Sequence, residues 1–273
     1  MFIAISGTFH VDGYTPDGDS LHFQAQNADN WEKLGGQPVK LNPRGQAQLR
    51  LEGIDALEMN FEGRHQPLKY AQAARDFLLS QLEIRSNLFG PAHARDGAAG
   101  YLLSRNVDKY RRPVAFVFTG APAWPDGEKV FLDAAHIRKS VNYLLLQAGL
   151  VYPTYYEGLY ADLREELTRG CRGARTNGRG LWPQDCTNSG VVMDGLNSLT
   201  TKCILLPKLF RRLVRFIKED RDISGFRGYL EANPDPLTHL PTGRGANLAA
   251  FVRVEGRAIK LTAAPEDLVF AEK

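Results

Sequence analysis

The chain has 273 residues, of which 43% are hydrophobic and 24% are charged, and its formal net charge is +3. This is the composition of a globular protein large enough to bury a sizeable core, and it excludes a disordered or low-complexity chain. Residues 1–186 carry 21 Lys+Arg and 21 Asp+Glu, whereas residues 187–273 carry 13 and 10. The small positive excess therefore lies in the last third, where it is compatible with a nucleic-acid partner but does not establish one.

Cysteine usage and hydropathy indicate a soluble protein. Three cysteines are too few for a disulfide framework, and buried free thiols are favoured over a single disulfide. The N-terminus shows no basic segment followed by a sustained apolar run, and no apolar stretch is long enough to cross a membrane. We therefore expect a cytoplasmic protein without a membrane partner, although the mature form of a secreted protein would look the same.

The first half of the chain has the pattern of strands and loops, followed by one helix. The segments "FIAISGTFHV" (2–11), "SLHFQAQ" (20–26) and "AQLRLEGI" (47–54) alternate or are β-branched, which predicts strands. Residues 27–46 contain Gly-Gly, two prolines and several asparagines, so they predict a long loop or inserted excursion. The apolar residues of "PLKYAQAARDFLLSQL" (67–82) recur every three or four positions, which predicts an amphipathic helix.

The middle of the chain continues this mixed pattern. "RPVAFVF" (112–118) and "KVFLDA" (129–134) predict two strands around a Pro/Gly-rich loop. "SVNYLLLQAGL" (140–150) predicts a helix with Ser140 as its N-cap. A further helix is predicted over 161–178, where glycines end the pattern.

From residue 187 the sequence changes character. A linker-like segment precedes "LPKLFRRLVRFIKED" (206–220), a basic amphipathic helix, and a hairpin is predicted with its turn near Glu255 and Gly256. For the helix, a core position with a solvated basic face is favoured over nucleic-acid binding. The order of strands and helices predicts an α+β fold rather than an alternating parallel sheet.

Charged residues gather where predicted strands begin and end. "PDGDS" (16–20) places two carboxylates in a turn, "LRLEGIDALE" (49–58) places Arg50, Asp55 and Glu58 at the end of an apolar strand, and "DKYRRP" (108–113) places cations before another strand. Phosphodiester hydrolysis needs an activated water, a hard cation held by oxygen ligands, and positive groups facing the phosphate. These residue types satisfy all three needs.

The segments "DGD", "LRLEGIDALE", "DKYRR", "VNYLLLQAGL" and "GLW", in this order, resemble the staphylococcal nuclease-like (thermonuclease) family over about residues 3–186. The resemblance implies an α+β fold, a five-stranded OB-fold β-barrel with three helices. It predicts a nuclease domain over 1–186 and leaves 187–273 as a C-terminal α+β extension of unknown role.

The resemblance also implies roles for residues at matching positions. Asp19, Asp55 and the backbone carbonyl of Ala56 correspond to the ligands of a Ca²⁺ ion, with Mg²⁺ as the alternative, and Asp17 supports them from outside the coordination sphere. Glu58 corresponds to the general base that activates water.

Other matched positions correspond to substrate-binding residues. Arg50 and Arg112 correspond to the pair that binds the scissile phosphate and stabilises its transition state. Lys109, Tyr110 and Tyr155 correspond to residues that contact the nucleotide.

Several positions depart from the family pattern. Leu57 replaces the usual proline before Glu58, which predicts a looser turn at the proposed base. Arg111 replaces a glycine, so that either Arg111 or Arg112 is available for the phosphate, with spacing favouring Arg112. The segment between Asp19 and Arg50 is longer than usual, which predicts that the 24–46 excursion loops out near the site.

The resemblance thus implies a metal-dependent endonuclease that hydrolyses DNA or RNA with little sequence preference and leaves 3′-phosphates. The alternative is a catalytically weak or inactive OB-type module that binds nucleic acid or protein. Retention of both arginines and of the carboxylates favours the enzyme. No protein partner is inferred.

Overall fold

A computed structural model describes residues 1–11, 13–84, 96–219 and 222–272, and within these ranges the side chain of residue 202 is left aside. Its helices are α1 (Leu68–Gln81), α2 (Ala134–Ile137), α3 (Val141–Gln147), α4 (Ala161–Thr176), α5 (Pro207–Lys218) and α6 (Phe226–Ala232). Its strands are β1 (Phe2–His10), β2 (Ser20–Ala25), β3 (Ala47–Leu51), β4 (Ile54–Asp55), β5 (Ala98–Val107), β6 (Pro113–Thr119), β7 (Lys129–Val130), β8 (Tyr152–Pro153), β9 (Tyr155–Tyr156), β10 (Val191–Val192), β11 (Pro236–His239), β12 (Arg244–Asn247), β13 (Val252–Glu255), β14 (Ala258–Leu261) and β15 (Leu268–Phe270).

Five strands close a barrel, which confirms the predicted fold class. The hydrogen-bonded order is β2-β3-β6-β5-β1-β7, and β1 also pairs with β2, so the first five strands close on themselves and β7 lies at the edge. All neighbours are antiparallel except β3 and β6, which run parallel. The alternation seen in the sequence directs one set of side chains inward, and Ile5, Phe9, Leu21, Phe23 and Phe116 are fully buried.

The chain divides into two compact units. Unit 1 comprises Met1–Glu52 and Ala73–Leu145, which contain the barrel. Unit 2 comprises Gly53–Gln72 and Leu146–Lys273. The predicted domain boundary at residue 186 therefore falls inside unit 2.

In unit 1, helix α3 fixes the chain where it leaves β3. Ser140 caps α3 as predicted, because its hydroxyl accepts a hydrogen bond from the backbone N–H of Tyr143 at 3.1 Å. Asn142 is fully buried and donates to the carbonyls of Glu52 (2.9 Å) and Ala115 (3.0 Å). One side chain thus secures the backbone directly after the "LRL" strand.

Unit 2 contains three small sheets and most of the remaining helices. The sheets have the orders β12-β11-β15-β9 and β10-β14-β13, with β4 and β8 as a separate pair. The predicted hairpin is confirmed, since Glu255 pairs with Ala258 across the turn. By contrast, the strand predicted over 129–134 ends at Val130, because Asp133 caps α2 by accepting a hydrogen bond from the N–H of His136. None of the described helices is long and apolar enough to cross a membrane.

Candidate functional site

In unit 1, three neighbouring strands bring the backbones of three predicted site residues together. Ser20 on β2 pairs with Arg50 on β3, and the N–H of Leu51 donates to the carbonyl of Asp19 at 2.9 Å. Arg50 in turn pairs with Val114, at the start of β6 and two residues after Arg112. Asp19, Arg50 and Arg112 therefore emerge at adjacent strand ends of the barrel.

Arg112 is held by an acidic residue that the sequence analysis left without a role. Its guanidinium donates to Oδ2 of Asp108 from Nε (2.9 Å) and Nη2 (2.7 Å). The other oxygen of Asp108 accepts from the backbone N–H groups of Tyr110 and Arg112, both at 2.9 Å. Asp108 thus shapes the turn and orients Arg112. Its position at the start of "DKYRR", four residues before Arg112, is the sequence feature that could have indicated this role.

Arg111 connects this turn to the 24–46 excursion. Its φ of +66° lies in the left-handed region, where glycine is favoured and other residues are strained. The side chain donates from Nε to the carbonyl of Pro38 at 2.9 Å, and the N–H of Lys40 donates to the Arg111 carbonyl at 2.9 Å. The excursion therefore does lie beside the predicted phosphate-binding turn, as the sequence indicates.

A cleft of about 450 Å³ opens where the excursion meets the turn. Three cations line it, Lys40, Arg111 and Arg112, and none of the residues found along its wall is acidic. Amide side chains and a tyrosine complete much of the remaining wall: Asn42, Gln46, Gln48 and Tyr110. Cations and amides around an open cavity suit an anionic ligand with several oxygens.

Tyr110 is the most exposed aromatic residue near this cleft. Its side chain is 63% exposed, and the Lys109 ammonium and the Arg112 guanidinium both lie 5.2 Å from its ring centroid. An exposed ring flanked by cations has the properties of a surface on which a nucleic-acid base stacks. Lys109 and Tyr110 are therefore both accessible to a ligand.

Asp17 lies half-buried in the same unit. Burial raises the pKa of its carboxyl, and the positive charge of Arg75 opposes that shift. Its predicted supporting role stays a prediction.

In unit 2, the chain turns sharply before the second group of predicted residues. Gly53 has φ +77°, and a Cβ there would meet a side-chain atom of Leu167 at 2.6 Å, so glycine is required on both counts. The carbonyl of Gly53 accepts from the N–H of Thr154, and Asp55 then pairs with Tyr152. Asp55, Ala56 and Leu57 are all buried, so this stretch is a fixed part of the unit 2 core.

Gln66 fixes the backbone of Glu58 in both directions. The N–H of Glu58 donates to the Gln66 side-chain oxygen at 3.2 Å, and the N–H of Gln66 donates to the Glu58 carbonyl at 2.9 Å. Gln66 is itself fully buried and donates to the carbonyl of Leu205 at 2.7 Å. The turn therefore does not depend on the proline that Leu57 replaces.

A residue far along the sequence contacts both carboxylates. Arg211, on α5, donates from Nη1 and Nη2 to the two oxygens of Asp55 at 3.1 and 2.7 Å, and from Nη1 to Oε1 of Glu58 at 2.5 Å. Burial lowers the pKa of Arg211, but the charges and hydrogen bonds of Asp55 and Glu58 outweigh it and raise the pKa well above the ordinary value. Arg211 is therefore permanently charged.

This contact bears directly on the calcium prediction. Carboxylate oxygens are the donors that Ca²⁺ prefers. Both oxygens of Asp55, however, already accept from a guanidinium, and a divalent cation bound beside it would face a fixed positive charge. Among the residues that the structure describes, no set of three or more His, Cys, Asp or Glu side chains is arranged to hold a metal ion. As arranged here, Asp55 does not fit a calcium ligand.

Tyr155 lies in the core of unit 2. It is fully buried, and its hydroxyl hydrogen-bonds Thr168 at 2.9 Å. Tyr152 is also fully buried and donates to Asp185 at 2.6 Å. In this conformation neither ring is available to a nucleotide, because both are fully buried, and Tyr155 therefore does not occupy the surface position that its predicted nucleotide contact requires.

Comparison with known proteins agrees with the barrel fold. The model of the staphylococcal nuclease homologue family matches residues 48–184, half of the chain, a range that includes Arg50, Asp55, Glu58 and Arg112. It begins after Asp17 and Asp19 and ends before α5. No curated protein matches the chain. With half of its length matched and the closed five-stranded barrel in place, the chain belongs to the staphylococcal nuclease homologue family.

Proposed function

We propose that this protein is a nuclease that hydrolyses phosphodiester bonds of DNA or RNA with little sequence preference. The observation that carries the proposal is the placement of Arg50 and Arg112 at adjacent strand ends of a barrel of this family, together with a cation-lined cleft to which Arg112 contributes. A groove that contacts the phosphate backbone and the faces of bases has little means of reading sequence.

The chemistry requires a base and positive charge. Glu58 removes a proton from the attacking water, the water oxygen bonds to phosphorus, and the bond to the 5′-oxygen breaks. Arg50 and Arg112 bind the equatorial oxygens, on which negative charge is distributed in the transition state. The leaving 5′-oxygen takes a proton from solvent, so the products carry a 3′-phosphate and a 5′-hydroxyl.

A second set of residues binds the substrate next to the scissile phosphate. Lys109 and Tyr110 are exposed next to Arg112, and we assign them to the phosphate and base of a neighbouring nucleotide. Lys40, from the excursion, adds a third cation to the cleft. Nucleic acid is the substrate class that this combination of cations and an exposed ring favours.

The test is a cleavage assay on the full chain. Closed circular plasmid, single-stranded DNA and RNA are each incubated with protein in Ca²⁺, in Mg²⁺ and in chelator, and the product ends are mapped. We expect cleavage within the plasmid and 3′-phosphate ends. Comparison of cleavage among the three metal conditions tests the calcium prediction.

Paired variants test the assigned base. Glu58→Gln should reduce turnover by about 10²–10⁴-fold, the usual contribution of general base catalysis. Glu62→Gln is the matched control, because Glu62 lies four residues on and pairs with Arg215 and Lys218 instead. Equal cleavage by the two variants would remove Glu58 from the mechanism.

A second function competes with this one on a specific observation. Arg211 pairs with both Asp55 and Glu58 and so occupies the assigned base, which favours a binding module without hydrolysis. In that case wild-type protein would retain single-stranded DNA in a gel-shift assay while cutting none of the three substrates under any metal condition.

A further inference from the structure

Helix α5 is a firmly packed part of unit 2. Its apolar face is buried through Leu209, Phe210, Leu213, Val214 and Phe216, each at most 1% exposed. On another face, Arg212 donates to Asp235 at 2.6 Å, and Lys208 lies 3.7 Å from the same carboxylate. A helix fixed on two faces is a permanent element of the unit rather than a loose strap.

A third face of α5 meets the segment that contains the predicted base. Arg211, Arg215 and Lys218 follow one another at spacings of four and three, so they lie on one side of the helix. Arg215 and Lys218 both pair with Glu62, at 2.8 and 3.0 Å. Lys218 also donates to the Glu62 carbonyl at 2.7 Å. These contacts set α5 alongside residues 55–62, with Arg211 opposite Asp55.

The Arg211 contact is built like a cation site. The guanidinium forks across both oxygens of Asp55 and reaches Glu58 as well, so that one positive group joins two carboxylates. The side chain of Asp55 is only 9% exposed and that of Glu58 15%, so water does little to screen the interaction. A charge-assisted fork of this kind has fixed geometry.

We propose that Arg211 is the resident cation of the Asp55–Glu58 pair, so that a divalent metal ion binds Asp55 only when Arg211 is absent or displaced. The inference deepens the proposed function, on which it rests for the role of Asp55. Helix α5 lies outside the residues that the family model matches, and through Arg211 it controls whether Asp55 can bind a metal ion.

Direct cation binding tests this without any nuclease assay. The full chain is titrated with Ca²⁺ by calorimetry and with Tb³⁺ by luminescence, in the absence of nucleic acid. Wild type and Arg215→Gln should give the same weak response, because Arg215 lies on the same helix face but pairs with Glu62. Arg211→Gln should bind at least tenfold more tightly, and Asp55→Asn added to it should abolish the gain.

Three outcomes would overturn the proposal. If wild type binds Ca²⁺ as tightly as Arg211→Gln does, Arg211 does not exclude a metal ion. The same conclusion follows if neither protein binds Ca²⁺. A wild-type response lost in Asp55→Asn alone would show a metal ion on Asp55 beside Arg211, and this comparison needs no Arg211 variant to fold. Arg211→Lys keeps the charge but loses the fork, so it should bind Ca²⁺ less tightly than Arg211→Gln does. A purely structural role for Arg211 would give these two variants the same cation affinity.

The binding test and the cleavage test fail separately. Absence of cleavage with the expected gain in cation affinity would retain Arg211 as the resident cation and reject the nuclease. Cleavage with no difference between Arg211→Gln and Arg215→Gln in cation affinity would retain the nuclease and reject the present inference.

Discussion

Replacing Arg211 by glutamine should destabilise unit 2 strongly. The substitution removes one cation that joins two carboxylates, and glutamine is too short and carries no charge to replace it. Asp55 and Glu58, mostly buried and adjacent, are then left as two negative groups without their common partner. The loss is therefore that of an uncompensated buried charge, not that of an ordinary surface ion pair.

The burial of the three side chains sets the magnitude. Removing one partner of a buried ion pair costs about 3–5 kcal/mol. The Arg211 side chain is 27% exposed, which allows some solvation, so we expect the lower end, about 3 kcal/mol. Arg215→Gln breaks a pair whose side chains are 49% and 36% exposed, and exposed pairs of this kind contribute at most about 1 kcal/mol.

Urea unfolding at neutral pH, followed by tryptophan fluorescence, measures both variants against wild type. The free energy of unfolding should fall about three times further for Arg211→Gln than for Arg215→Gln. Repeating the titration in high salt should reduce the effect of Arg215→Gln more, because exposed pairs are screened and buried ones are not. Equal losses for the two variants, or a loss that salt removes for both, would refute the argument from burial.

Substitutions at Gln66 and Lys40, and the reactivity of the cysteines, test other parts of the structure. Gln66→Leu should lower turnover and cost about 1–3 kcal/mol of unfolding free energy, because it removes the acceptor of the Glu58 N–H and the donor to the buried carbonyl of Leu205. Steady-state kinetics and urea unfolding measure the two effects, and unchanged values would contradict the assigned role. Lys40→Ala should weaken DNA binding alike for all sequences and reduce the slope of log K against log salt by about one, as for one lost phosphate contact; an unchanged slope in filter-binding assays would place Lys40 outside the DNA contact. In thiol titration the native protein should show one reactive cysteine, Cys186. Burial raises the pKa of Cys171 to about 12, and Cys203 is buried as well. Three thiols that react equally fast would contradict the described packing.

Periodic patterns predicted the regular elements well. Helices α1 and α5 agree with the predicted segments to within two residues, because a long amphipathic period of 3.6 is a strong signal. The strand predicted over 47–54 is instead interrupted after Leu51 and resumes as β4 at Ile54. The two-residue strands β8 and β9 were not predicted, since two residues show no period and form only where a distant partner supplies the hydrogen bonds.

The candidate site was predicted unevenly for the same reason. Arg50 and Arg112 belong to compact motifs at strand ends, so local sequence and strand pairing together indicate their position. Arg211 lies 156 residues from Asp55 and occurs in a helix whose cations have the pattern of a solvated face. The structure instead pairs those cations with acids of the same unit, including Glu62 and Asp235. Spacing along one helix shows which face a charge is on, but not which acid lies opposite.

The two substitutions that depart from the family pattern, Leu57 and Arg111, are both compensated by contacts from distant segments. At Leu57 the rigidity of a proline is replaced by the hydrogen bonds of Gln66 to Glu58, and Leu205, at the entry to α5, holds Gln66 in turn. At Arg111 the conformational freedom of a glycine is replaced by a strained arginine that the backbone at Pro38 holds. In each case a tertiary contact fixes a backbone conformation that the family residue would favour locally. The contact comes from the 24–46 excursion at Arg111 and from the C-terminal extension at Leu57. We therefore expect that removing either segment disturbs the predicted site residues themselves.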